Sequence, residues 1–273
     1  MKKMIHRDRF LATINYEQTD RPASWLGLPV PSAESGLMKY FNIQSIDQLK
    51  QIIDDDIYPI EVPYNYPPSY HIACAFDFAK KKHLDRPDDR TLTAPGFFED
   101  YADPDDVNKF NWPDPAKYLD RKESERRAKS APDDYAKMGI LWSAHFQDSL
   151  SAFGMEQALI AMLTKPDLYR AVIDKITEFY LKANEIFYES TKGYLDAVLI
   201  GNDFGSQNGL MLDPSLIEEF VLPGTKKLID QARSYGLVVM HHSCGSIFPI
   251  IDKLIDAGAK IIHPIQALAV DMD

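Results

Sequence analysis

The chain has 273 residues, 45% hydrophobic and 26% charged, an ordinary soluble composition with length enough for one large α/β domain or two small ones. A net charge of −11 argues against nucleic acid and anionic membrane surfaces as partners. No run approaches the roughly 20 apolar residues of a membrane span. Two cysteines, Cys74 and Cys244, cannot make a disulfide framework, so a reducing cytoplasm is the expected compartment.

The amino terminus is charged where a signal peptide needs an apolar run. Residues 21–28 (RPASWLGL) and 56–62 (DIYPIEV) read as strands. Residues 63–132 are rich in Pro, Asp, Tyr and charge and read as an insertion of loops and short helices. Within it Tyr64, Tyr66 and Tyr70 are spaced to form an aromatic wall over a pocket, although packing of the insert explains them equally well. Cys74 reads as buried.

From residue 138 the pattern becomes regular. Residues 138–146 (MGILWSAHF) form a strand, with helix beginning near Gln147. Pro166 opens a long helix with Leu168, Val172, Ile176, Phe179, Ala183 and Phe187 at helical spacing, ended by Gly193. Residues 195–200 are the next strand. Asp213-Pro214 caps a helix that Pro223 kinks and Gly236 closes. A strand at 237–240 follows, then a helix capped by Ser246 and ended by Gly258, then a strand at 260–265.

Strand and helix alternating at this spacing imply a parallel sheet with right-handed crossovers. The count is about six strand–helix units, whereas a (β/α)₈ barrel takes eight. The chain stops just after a strand. The expected fold is therefore one α/β domain over residues 1–273, a TIM-type barrel whose last two strand–helix units are missing. An open six-stranded sheet is the alternative.

The apolar run at 237–240 ends in His241-His242-Ser243-Cys244-Gly245. Residues i and i+2 of a strand face the same side, so His242 and Cys244 share one space, at the strand end where α/β proteins keep their chemistry. Imidazole and thiolate together suit Zn²⁺ rather than Mg²⁺ or Ca²⁺. His241 points the other way and reads as structural. Asp203 ends the strand expected alongside, where a carboxylate completes a zinc shell or orients His242; a loop cap is the competing reading. Gln207, in the same loop, is a candidate for binding substrate. His145 and Gln147 end the strand before that and are candidates for the pocket wall, as is Gln266 after the last strand. His263 is expected to face the barrel wall. Asp54, Asp55 and Asp56 point in divergent directions and read first as a solvated turn.

Several segments in order resemble the uroporphyrinogen decarboxylase superfamily. They are residues 7–10 and Asp20-Arg21-Pro22, Asp54-Asp55-Asp56, Trp112-Pro113-Asp114-Pro115, residues 201–207 (GNDFGSQ), His242-Ser243-Cys244-Gly245 and His263-Pro264-Ile265-Gln266. The resemblance implies a (β/α)₈ barrel with its site at the carboxyl ends of the strands, and a homodimer. It further implies that one of the three consecutive acids approaches substrate; Asp56, adjoining a strand, is the choice. In the zinc-dependent methyltransferases of this superfamily a third zinc ligand, a cysteine, comes from a region beyond residue 273.

The decarboxylase itself acts on a tetrapyrrole bearing several carboxylates and needs cations beside it. The corresponding loop, residues 28–35 (LPVPSAES), has no Arg or Lys. Methyl transfer from a corrinoid, carried by a partner protein, to a small thiol fits better. On this reading His242 and Cys244 hold zinc, Asp203, Asp56 and His145 serve catalysis, and Gln207, Gln147, Gln266 and Tyr64 contact substrate. A non-catalytic barrel acting as a binding partner is the reading from another class.

Overall fold

In the computed structural model of the chain, residues 3–64, 75–78 and 91–273 are described. Three helices come first, α1 (His6–Ile14), α2 (Pro31–Phe41) and α3 (Ile46–Ile53), the last capped by Ser45, whose side chain accepts from Gln48 N. Strand β1 (Ile57–Glu61) follows, then α4 (Arg121–Ser130) and β2 (Ala136–Trp142). Helices α5 (His145–Phe153), α6 (Met155–Thr164) and α7 (Pro166–Ser190) lead to β3 (Ala197–Gly201). A small hairpin, β4 (Gly205–Ser206) and β5 (Gly209–Leu210), precedes α8 (Pro214–Leu216) and α9 (Leu222–Ser234). The chain closes through β6 (Val238–His242), α10 (Ile251–Ala257) and β7 (Ile261–His263).

Five of the strands form one sheet in the order β1-β2-β3-β6-β7, every neighbouring pair parallel. The strands are short apolar runs because both faces are covered. Val198, Ile200 and Val239 face the helical layer, where α5, α7 and α9 bury their apolar stripes. On the other face Met138, Ile140, Ala197, Leu199 and Met240 pack with Phe10 of α1 and with Trp25. This is the arrangement of a TIM-type barrel, built here in part. Among the described residues no helix is long and apolar enough to cross a membrane.

Helix α7 shows why the second half is regular. Pro166 occupies its first turn, and Leu168, Val172, Ile176, Phe179, Ala183 and Phe187 are all buried along one face. Fully burying each large side chain of that stripe contributes about 1.5–3 kcal/mol. The helix over 214–234 is interrupted by a π-helical turn, Ile217–Val221, directly before Pro223. The missing proline N–H is accommodated by that local change of winding.

Several boundaries differ from the sequence reading. Residues 21–28 lie beside β1 but are not a strand, so the sheet has five strands instead of six. Their polar groups are diverted to side chains: Ser24 N donates to Asp56 Oδ2 at 2.7 Å and Leu26 N to Asp55 Oδ1 at 3.2 Å. Helix α5 begins at His145, two residues before the expected start. Ser246 caps nothing, because a 3₁₀ turn, Phe248–Ile250, separates it from α10. Within 63–132 two 3₁₀ turns, Pro104–Lys109 and Pro115–Lys117, precede α4, which is the helix that feeds β2.

Candidate metal centre

Strands β3 and β6 pair in register with Gly201 opposite His242. A Cβ on Gly201 would stand 2.2 Å from the His242 carbonyl oxygen, so only glycine lets the two strand ends approach this closely. Two residues beyond each of these positions lie Asp203 and Cys244. His242 Nε2 is 3.4 Å from Asp203 Oδ1 and 3.3 Å from Cys244 Sγ. The Cys244 backbone N–H donates to the same Asp203 Oδ1 at 2.8 Å.

The three donor atoms lie within 4.8 Å of one another. Tetrahedral zinc at ordinary bond lengths puts a nitrogen about 3.3 Å from an oxygen ligand and about 3.5 Å from a sulfur ligand. The observed separations match those edges. Nitrogen, sulfur and one carboxylate oxygen is also a donor set that suits zinc and not the oxygen-seeking Mg²⁺ or Ca²⁺.

The charges point the same way. The hydrogen bond with His242 holds the Asp203 carboxyl below the usual carboxylate range, against the opposing effect of burial. Burial, and then the Asp203 charge, pushes the Cys244 thiol up to about 11. By itself the sulfur therefore keeps its proton at neutral pH. A divalent cation reverses that balance, because thiolate and carboxylate are then both attracted to it.

Neighbouring groups hold these loops in place. Gln147, on the first turn of α5, donates from Nε2 to the Asp203 main-chain oxygen at 2.9 Å. Gln266 Oε1 accepts from the Gly245 N–H at 2.6 Å, and Ser243 Oγ accepts from the Phe204 N–H at 3.0 Å. Gly245 has φ +82, and a Cβ there would stand 2.6 Å from the Gly205 carbonyl carbon. The Trp142 ring stands edge-on to His242, centroids 5.1 Å apart, from a strand end where Trp142 and Ser143 take left-handed φ of +59 and +55.

His263 is a correction to the sequence reading. Its side chain is not turned to the barrel wall: Nδ1 lies 3.0 Å from His242 Nδ1, and Trp25 packs on the ring, centroids 5.1 Å apart. Burial, with His242 beside it, pushes the His263 ring down to about 4, so it is neutral at physiological pH. The signal was the pairing of β6 with β7, which sets His242 opposite His263 and which spacing alone does not give.

His145 and Asp56 are corrections of a larger kind. His145 is fully buried and both ring nitrogens are committed, Nε2–H donating to Val221 O at 3.1 Å and Nδ1 accepting from Asn202 Nδ2 at 3.2 Å. Gly224 passes so close that a Cβ there would meet His145 Nε2 at 2.8 Å. The ring therefore ties the start of α5 to Asn202 after β3 and to the chain entering α9, and does not line the site. Asp56 precedes β1, at the amino end of the parallel sheet, whereas the three donors follow carboxyl ends. It is fully buried, accepting from Arg9 Nη1 at 2.5 Å and Arg21 Nη1 at 2.6 Å.

The other candidates divide. Gln207 is exposed at the tip of the β4–β5 hairpin, where its main-chain oxygen accepts from Val270 N at 3.0 Å. Tyr64 bridges to Leu119 and packs against the helical layer, apart from the three donors. Tyr66, Tyr70 and Cys74 lie outside the described residues. His241 is fully buried and stacks on Phe204, centroids 5.6 Å apart and planes at 9°.

Residues 94–267, more than half of the chain, match the family profile described as "Uroporphyrinogen decarboxylase (URO-D)". Among curated proteins no relative matches the chain. A solved structure described as a "methyltransferase from Methanosarcina mazei" has a similar fold, with TM-score 0.58 and 17% sequence identity. The similarity covers 95% of this chain and 76% of that one.

Proposed function

This chain belongs to the uroporphyrinogen decarboxylase family, and from that premise we propose that it is a zinc-dependent methyltransferase moving a methyl group from a corrinoid to a thiol. The observation that carries the reading is the convergence of Asp203, His242 and Cys244 at two adjacent strand ends. Zinc bound there would supply the positive charge that keeps a thiol in its nucleophilic thiolate form near neutral pH.

The chain's own residues have distinct tasks in this scheme. His242 and Cys244 anchor the ion, and Asp203 adds a third donor and a negative charge. Gln147 fixes the Asp203 main chain and Gln266 the Gly245 main chain, so the two loops keep their separation. Trp142 packs perpendicular to the His242 ring and supports its orientation. A corrinoid carried on a partner protein would reach the site at the barrel mouth, where these loops lie. Residues 28–35, expected to be a loop, run instead into the first turns of α2; they carry no basic residue, which disfavours a polycarboxylate tetrapyrrole as substrate.

Protein purified without chelator is expected to hold about one zinc per chain, and His242→Ala to lose it while keeping its circular dichroism spectrum. With zinc loaded, incubation with methylcobalamin and mercaptoethanol should yield the S-methyl thioether. A folded chain that takes up no zinc would falsify the proposal.

A further inference from the structure

On the side of the His242 ring away from Asp203 and Cys244, Nδ1 lies 3.0 Å from Nδ1 of His263. Two imidazole nitrogens at that distance share one proton. Two bare lone pairs would repel, and two N–H groups would collide. The pair therefore has two arrangements. With the proton on His263, Nδ1 of His242 is the acceptor, and its Nε2 carries the hydrogen and faces Asp203 and Cys244 as a donor. With the proton on His242, Nε2 is a free lone pair aimed into the same space.

We propose that His263 is the positioning residue for metal capture: its Nδ1 accepts a hydrogen bond from the Nδ1–H of His242, so that Nε2 of His242 is presented bare to the ion. The inference rests on the zinc reading above. Two features of the fold hold His263 to this task. The β6–β7 register sets it directly opposite His242, and Trp25 packs on its ring at 5.1 Å with planes at 45°. The change of arrangement balances without net release of a proton from the two rings. His242 loses its Nε2 proton, one proton crosses from His263 Nδ1 to His242 Nδ1, and His263 Nε2 gains one.

Zinc affinity, read by competition against a chromophoric chelator, is the first test. His263→Phe keeps a ring against Trp25 but removes the acceptor, and should weaken zinc binding about 10–100-fold. His263→Gln, whose amide oxygen accepts a hydrogen bond, should recover part of that loss. The second test needs no variant: in ¹⁵N-labelled, zinc-loaded wild type, His242 Nδ1 should carry the proton and His263 Nδ1 none. A His263→Phe protein that binds zinc within about threefold of wild type overturns the assignment, since an orienting partner contributes at least tenfold. So does a protonated His263 Nδ1 in the loaded protein, whether or not the variants fold. If wild type itself takes no zinc, the metal centre fails as a whole, an outcome distinct from both.

Discussion

Asp203 accepts the backbone N–H of Cys244 across two neighbouring strand ends, so one carboxylate oxygen is held by the main chain beside His242 and Cys244. The same oxygen stands 3.4 Å from His242 Nε2. Orientation and charge are therefore separable contributions of a single side chain.

Asp203→Asn separates them. The amide oxygen can still accept from Cys244 N, but the negative charge is gone. Zinc affinity should fall by at least about tenfold. In metal-free protein the Cys244 thiol should titrate at lower pH than in wild type, because burial and the Asp203 charge are what raise it. The pH profile of alkylation at this cysteine checks the shift. Unchanged affinity together with an unchanged profile would remove Asp203 from the site.

A second carboxylate affects stability instead of metal binding. Asp148 of α5 is buried and accepts a hydrogen bond from the Tyr180 hydroxyl. Burial pushes its carboxyl up to about 7, partly offset by Tyr180. The folded chain thus binds a proton that the unfolded chain has released above about pH 4, so stability falls as pH rises from there towards 7. Asp148→Asn should flatten that slope and gain on the order of a few kcal/mol at pH 8. Urea unfolding of both proteins at pH 5 and pH 8 measures it. An equal pH dependence in the two proteins would contradict the assignment.

The charge cluster below β1 has the opposite sign. Hydrogen bonds from Arg9 hold Asp20 low and those from Arg21 hold Asp54 low. Burial works against Asp56, but Arg21, Ser24, His6 and Arg9 still keep it below the usual range. Depressed carboxyls contribute stability above the ordinary carboxylate range and lose it as pH falls through their folded values. Asp56→Asn removes the buried carboxylate shared by Arg9 and Arg21, which keep Asp20 and Asp54 as partners, and should cost about 1.5–3 kcal/mol in denaturant unfolding. Zinc stoichiometry should not change. Loss of zinc at full stability would return Asp56 to the site.

How much of this could be read from the chain follows from which rule each residue obeys. His242 and Cys244 fall together because a strand repeats every two residues, and Asp203 because parallel neighbours end at the same level. The long helix at 166–190 follows from its apolar period and its proline. Asp56 lies before β1, at the end of the sheet opposite the three donors, so its place in the sequence already excludes it from the site. His145 was placed on a strand end because nothing local marks where that helix starts: Ala144 offers no capping side chain. Residues 21–28 carry strand-like side chains, yet the buried carboxylates of Asp55 and Asp56 capture their N–H groups, a long-range competition that no local pattern records. His263 required the pairing of two strands to be known residue by residue.

With zinc bound as proposed, the facing of Gly201 with His242 would also act as a proofreading device. A one-residue slip turns every side chain of a strand to its other face. Slipped β6 would offer His241 and Ser243 where His242 and Cys244 belong, an imidazole with a hydroxyl instead of a sulfur. An ion that binds only the correctly aligned chain stabilises that chain alone, by mass action. Refolding in the presence of zinc would then select the true alignment over its nearest error.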